Sequence, residues 1–311
     1  MNNQPQLYQN DAEIDLRELM SSLWGGKWII ASITTIFTVM AVVVALILPN
    51  QYKSTAVLAP AQNGNSPMLA GLASQFGGLA SLAGINIGAG ESDESQIAME
   101  IMKSWGFVDK FIREQGIEVE VFAATKWKPD TNQLLIDNEL FDQERSEWVR
   151  TPPSGKTVEP TSWELYREFS KWLNISQAKD TGLVSVSVEY YSPQLAKQWV
   201  DAYVELINNY MRERKLEQVN SNIEYLQSQI EKTSIAEMKE VFYQIIEDQT
   251  KSKMLAEASP EYAFVTVSEA MLAEEKSNPK RALICALGMI TGLMFSILFV
   301  LMKVSMRNSR L

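Results

Sequence analysis

The segment WIIASITTIFTVMAVVVALIL, Trp28 to Leu48, and its counterpart ALICALGMITGLMFSILFVLM, Ala282 to Met302, decide how the rest of the chain is read. Each is close to the ~20 residues that a helix needs to cross a bilayer. Neither contains Asp, Glu, Lys, Arg or His, so no charge is carried into hydrocarbon at a cost of ~2.5 to 3.5 kcal/mol. A core helix of a soluble protein is shorter and amphipathic. A cleaved signal peptide has a shorter apolar run and a small-residue cleavage site, which Leu48-Pro49-Asn50 does not supply. Two crossings put both termini on one side and residues 49–281 on the other.

Lys and Arg near the membrane assign the sides. Arg17, Lys27, Lys303, Arg307 and Arg310 flank the spans on the terminal side, against Lys53, Lys276, Lys280 and Arg281 on the loop side. The C-terminal tail has no acidic residue, and a loop this long translocates regardless of its charge, so the termini are expected in the cytoplasm. The expected organisation is a cytoplasmic segment at 1–27, spans at 28–48 and 282–302, a periplasmic domain at 49–281 and a cytoplasmic tail at 303–311. Within the domain, a base covers about 49–192 and 260–281, and a long helical hairpin covers about 193–259.

Composition removes several functions. The formal net charge is −10, and every carboxylate except Asp11, Glu13, Asp15 and Glu18 lies in the loop, which disfavours nucleic acid as a partner. There is no histidine, so the usual neutral-pH acid/base and the commonest metal ligand are missing. Cys285 is the only cysteine and sits inside the second span. No phosphate-binding glycine loop, nucleophile elbow or Asp-x-Asp pair is present. Asp130-Thr131-Asn132 starts like a calcium loop but lacks the later ligands, and Asn174-Ile175-Ser176 matches a glycosylation sequon inside a predicted strand. Neither is taken as a site, and no catalytic, metal or cofactor residue is nominated.

Along the loop, Gln51 to Ala59 predicts a strand rising from the bilayer, and 62–90 is a Gly/Ala/Leu-rich stretch without charge. A helix is expected from Ser95 to Gly116 on the stripe Ile97, Ile101, Trp105, Val108, Ile112, with Ser92, Asp93 or Ser95 as cap. A strand over Ile117–Phe122, a brief helix over Phe141–Trp148 and another helix over Trp163–Trp172 follow. Leu173–Ala178 and Leu183–Tyr191 alternate as a β-hairpin around Asp180-Thr181-Gly182, and Ser192-Pro193 opens a helix.

From Gln194 to Ser259 there are 66 residues without Gly or Pro, enough for a rod of ~100 Å if fully helical. Trp199, Tyr203, Leu206 and Tyr210, then Val219, Ile223, Leu226 and Ile230, form stripes at the seam period of paired helices. A bend at Thr233-Ser234 divides a long helix from one returning over about 235–258. A stripe needs a partner. It packs within its own chain or against other copies, and the second reading is preferred. Tyr262–Val267 is a further strand, expected to pair with the first. In the second span Gly288, Gly292 and Ser296 recur every four residues, a pattern that lets helices approach closely, either to the first span or to a partner.

Taken in order, the segments Glu13–Leu19, Trp24, Gly26-Lys27-Trp28, Tyr52-Lys53, Leu58-Ala59-Pro60, Gly78–Gly84, Thr181–Val184, Tyr191-Ser192-Pro193, Pro260–Phe264 and Pro279–Ile284 resemble the Wzz family of polysaccharide chain-length determinants, the class 1 polysaccharide co-polymerases. The resemblance implies an α+β membrane protein, with two transmembrane helices flanking a periplasmic α/β base domain and a protruding helical hairpin. It implies a homo-oligomeric ring or bell in the inner membrane. It also implies a non-enzymatic role in setting the modal length of lipid-linked O-antigen, with a membrane polymerase and the growing glycan as partners. With no Tyr after Tyr262 and no phosphate-binding loop, the sequence is expected to fall in the class without the kinase and tyrosine-rich tail of class 2 relatives. Two other readings compete: a membrane-tethered glycan-processing enzyme using a carboxylate pair, and a receptor, whose cytoplasmic segments here are short for a signalling output.

Overall fold

A computed structural model describes residues 24–61 and 90–308. The chain divides into two units, Met1–Pro49 with Asn278–Leu311, and Asn50–Ser277. Of the Gly/Ala/Leu-rich stretch at 62–90, residues 62–89 lie outside the described residues, as do Glu13–Leu19 and Gly78–Gly84.

In the first unit, α1 (Lys27–Ile47) and α8 (Arg281–Asn308) are long and apolar enough to cross a membrane. Hydroxyls within α1 are satisfied inside the helix: Ser32, Thr34, Thr35 and Thr38 each donate to the carbonyl four residues earlier, at 2.8 Å. A hydroxyl so bonded asks nothing of lipid.

The second unit is built on an antiparallel four-stranded sheet in the order β6-β7-β1-β8. Its strands are β1 (Tyr52–Pro60), β6 (Leu173–Gln177), β7 (Val184–Tyr190) and β8 (Phe264–Ser268). Tyr52 opposes Tyr190 and Leu58 opposes Val184. Val184, Val186, Val188 and Tyr190 are fully buried, the inward set of a strand whose side chains alternate faces. The expected pairing of the last strand with the first is present, with Pro60 opposite Phe264.

Helix α6 (Pro193–Lys232) crosses this sheet, starting as its sequence indicates: the Ser192 hydroxyl accepts from Leu195 N and proline occupies the first turn. Its buried residues Ala196, Trp199, Val200, Tyr203, Val204, Ile207 and Met211 recur every three to four positions. They meet α2 (Gly90–Lys103), α3 (Trp105–Gln115) and α5 (Ser162–Phe169), whose Met102, Phe107, Phe111, Ile112, Leu165 and Phe169 complete one core. After residues 233–235, α7 (Ala236–Ala258) returns along the second half of α6.

Three local expectations are corrected. The helix from Ser95 starts earlier, at Gly90, so Ser92, Asp93 and Ser95 lie inside it, and it breaks at Ser104, whose hydroxyl caps α3 by accepting from Phe107 N. Gly116, at φ 62°, ends α3 in the left-handed conformation that glycine adopts without strain. The strand over Ile117–Phe122 is instead a short helix, α4 (Glu118–Ala123), opened by Val121 N donating to Ile117 O at 2.9 Å, with Ile117, Val121 and Ala123 buried. The helix over Phe141–Trp148 is a short hairpin, β4 (Phe141–Asp142) with β5 (Glu147–Trp148), in which Phe141 packs on Trp148 and the Asp142 carboxylate accepts from Glu144 N and Arg145 N. The Asp130 to Asn132 segment is the turn between β2 (Ala124–Lys128) and β3 (Gln133–Ile136), closed by Trp127 Nε1 donating to the Asn132 side chain at 3.0 Å.

Candidate functional site

The long stripe on α6 has two different neighbours. Trp199 and Tyr203 are buried in the core: Trp199 packs on Tyr190 at 4.4 Å, and Tyr203 packs edge-on to Phe111 at 4.8 Å and to Phe107 at 5.2 Å. The Tyr203 hydroxyl donates to Met102 O, and burial pushes its pKa well above the usual phenol range, so it remains a donor. Leu206 and Tyr210 are half-buried against the same core, Tyr210 edge-on to Phe107. Beyond it, Val219 and Ile230 are buried, Ile223 and Leu226 are half-buried, and α7 is the element packed along this half. None of the eight is exposed. Within the chain the base covers the first four and the returning helix lies along the last four, where Ile223 and Leu226 keep part of their surface for the contact expected with other copies.

An exposed apolar row runs from the N-cap of α7 along that helix. Ile235, Met238, Val241 and Ile245 are 57%, 43%, 48% and 39% exposed, spaced by three or four. The adjacent Lys239, Phe242, Ile246 and Gln249 are half-buried on the side toward α6. Sequence reading missed the outer row because apolar residues run on two neighbouring stripes, and only the contact with α6 tells which one is spent.

Between the spans, Gly288 and Gly292 face α1 of the same chain. A Cβ at Gly288 would lie 2.3 Å from the Ala41 Cβ, and one at Gly292 2.7 Å from the Phe37 Cβ. Ser296 is fully buried and donates to Leu293 O at 2.8 Å. Phe37 stacks on Phe295 at 5.8 Å, Gly26 meets Val300, and Arg281 donates to Ala45 O at 3.1 Å. The two helices therefore run antiparallel along a seam of small residues.

Asn208 ties the hairpin's return to the sheet. Its side-chain oxygen accepts from Ala263 N and Phe264 N at 2.8 Å and its amide donates to Phe264 O at 3.0 Å, so a buried side chain replaces a strand at the start of β8. Beside it lies a cavity of about 470 Å³ lined by Asp201, Glu205, Glu261 and Glu269 with Ala56, Val204 and Pro260. Two of these acids are already engaged: Asp201 with Lys197 at 2.6 Å and Glu261 with Thr266 N at 3.0 Å. Among the described residues no cluster of three or more metal-ligating side chains occurs. The carboxyls with clearly displaced pKa values, Glu164 and Glu247, are both held low by basic neighbours, the wrong direction for a general acid.

Glu164 is the other buried polar centre. Arg150 donates to both its oxygens, at 3.2 and 2.8 Å, and Lys156 adds a contact at 2.9 Å. The same guanidinium donates to the carbonyls of Thr157, Val158 and Glu159, while Thr161 N donates to Glu164 as part of a capping box. One ion pair thus holds a proline-rich loop to the first turn of α5.

Fold and surfaces together define a two-span membrane protein whose α+β domain carries a helical hairpin. Residues 12–115 match the family model Wzz, chain length determinant protein, and residues 233–305 match GNVR, a G-rich domain described on tyrosine kinases. The chain thus carries a segment similar to chain length determinant proteins near its start and one similar to the G-rich domain near its end. No curated protein sequence matches it. Among solved structures, it is similar to a full-length bacterial polysaccharide co-polymerase, at 13% identity over 94% of this chain and 99% of that one, with a TM-score of 0.38. It is also similar to a fragment of WzzB, a polysaccharide co-polymerase from Salmonella Typhimurium, at 13% identity over 74% and 100%, with a TM-score of 0.27.

Proposed function

We propose that this chain sets the modal chain length of lipid-linked O-antigen or a related surface polysaccharide, without catalysing bond formation itself. It would stand in the bacterial inner membrane with both termini in the cytoplasm and its main domain in the periplasm. There several copies would form a scaffold that acts on a separate polymerase and, through it, on the growing glycan. The observation that carries this reading is the chain-length determinant match over residues 12–115, a segment that includes the first span and β1. The exposed row Met238, Val241, Ile245 supplies a surface for contact between copies. With Asp201 and Glu261 of the acidic cavity already engaged, the glycan-processing alternative would have to use Glu205 and Glu269.

Deleting the gene should turn a clustered glycan length distribution on a gel into a random, mostly short one, restored by the intact chain; an unchanged ladder rejects the proposal. The GNVR match favours a second reading, in which the polymer is a capsule-type polysaccharide. Running the same comparison on both glycan fractions separates the two.

A further inference from the structure

We propose that the β2–β3 hairpin binds the headgroups of anionic phospholipids, and so fixes the domain against the bilayer it is tethered to. The inference rests on the two spans entering a membrane and on nothing about polysaccharide length. Gln51 and Ser277 mark the end of the domain at which both chain passages leave it: Ser277 N and Oγ donate to Gln51 O at 2.8 and 3.1 Å. Gln51 follows Ile47, the last residue of α1, by four positions, and Ser277 precedes Arg281, the first of α8, by four. Four residues span at most ~14 Å. Two tethers that short, leaving from one point, hold this end of the domain within reach of the interfacial layer.

The hairpin sits at that end. Trp127 of β2 packs edge-on against Tyr52, the first residue of β1, with ring centroids 5.5 Å apart. Trp and Tyr concentrate at membrane interfaces, where one end of the ring is apolar and the other wet. Alternation along β2 turns Lys126 and Lys128 to the face opposite Trp127, and both are exposed, as is Lys53 beside Tyr52. Lys126 and Lys128 of the hairpin and Lys53 of β1 thus flank the Tyr52–Trp127 contact in a chain with net charge −10. Of the acidic groups on these elements, Asp130 lies in the hairpin turn, and Glu189, opposite Lys53 in the β1–β7 register, accepts from the Ser277 hydroxyl. Each lysine near an anionic surface contributes about fivefold to partitioning, so Lys126 and Lys128 together account for on the order of 25-fold.

The test uses the full chain with Cys285→Ala and a spin label on Thr131→Cys, in the exposed hairpin turn. It is reconstituted in nanodiscs of phosphatidylcholine with or without phosphatidylglycerol, and accessibility to oxygen is compared with that to a water-soluble nickel chelate. Phosphatidylglycerol should move the label into the headgroup layer, and Lys126→Gln with Lys128→Gln should abolish the shift. A label equally open to nickel in both discs, or a shift that survives the double substitution, overturns the proposal. Both lysines are exposed and carry no core packing, so the double variant keeps its fold.

Discussion

At the scale of single residues, Arg150 and Glu164 show how a loop without regular structure is held. Both are nearly buried, and every oxygen and nitrogen at their contact has a partner. Removing one partner of such a pair leaves a buried charge, at about 3–5 kcal/mol. Arg150→Met should therefore raise amide exchange across 151–161 far more than across the sheet. The Arg150 guanidinium holds the Glu164 carboxyl below the ordinary carboxylate range, so the folded state binds its proton less readily than the unfolded chain. Its contribution is complete above the usual carboxylate pKa and is lost as pH falls below about 5. In Glu164→Gln the same loop should show no such acid dependence between pH 5 and 3, by exchange or by limited proteolysis. Asn208→Leu strands the N–H groups of Ala263 and Phe264, each at about 1–3 kcal/mol, and should loosen the start of β8.

Among elements, two pairings carry the architecture. The spans meet through Gly288 and Gly292, where a side chain has no room against Ala41 and Phe37. Gly292→Leu should force the helices apart, read as lost bismaleimide crosslinking between cysteines placed at Phe37 and Phe295, whose rings stack across the seam; crosslinking at the level seen with Gly292 intact would refute the seam. On the hairpin, the partner of the α6 stripe is α7, which leaves the outer row of α7 open. Val241→Glu with Ile245→Glu should lower the mass of the detergent-extracted particle while leaving the helical signal unchanged, since neither side chain lies in the buried core. A particle of unchanged mass would mean that copies meet elsewhere.

For the molecule as a whole, much was legible in advance. The spans, the β6–β7 hairpin and the helical hairpin all rest on local signals: long apolar runs, strict alternation in Val184–Val188, and the absence of Gly and Pro over 194–259; the central pairing of β7 with β1 does not, since its partners lie over a hundred positions apart. The short helix at Glu118 and the two-residue strands at Phe141 and Glu147 were misread, because elements that short carry less than two periods of pattern. A particle of one 35.1 kDa chain after gentle extraction would remove the scaffold reading altogether.

The sequence by itself determined that this protein enters a membrane twice, and that it carries between the spans a sheet and two long helices. Hydropathy, periodicity and helix-breaking residues act over neighbouring positions and can be read there. Only the tertiary structure decided which surfaces are already spent. Trp199 and Tyr203 belong to the core, Val219 and Ile230 to the inner face of the hairpin, and Gly288 and Gly292 to the first span. Likewise Asn208 and Phe264, 56 positions apart, share a bond that no local pattern announces. Whether an apolar or polar side chain is satisfied depends on what the fold brings to it from far along the chain, and that information is not local.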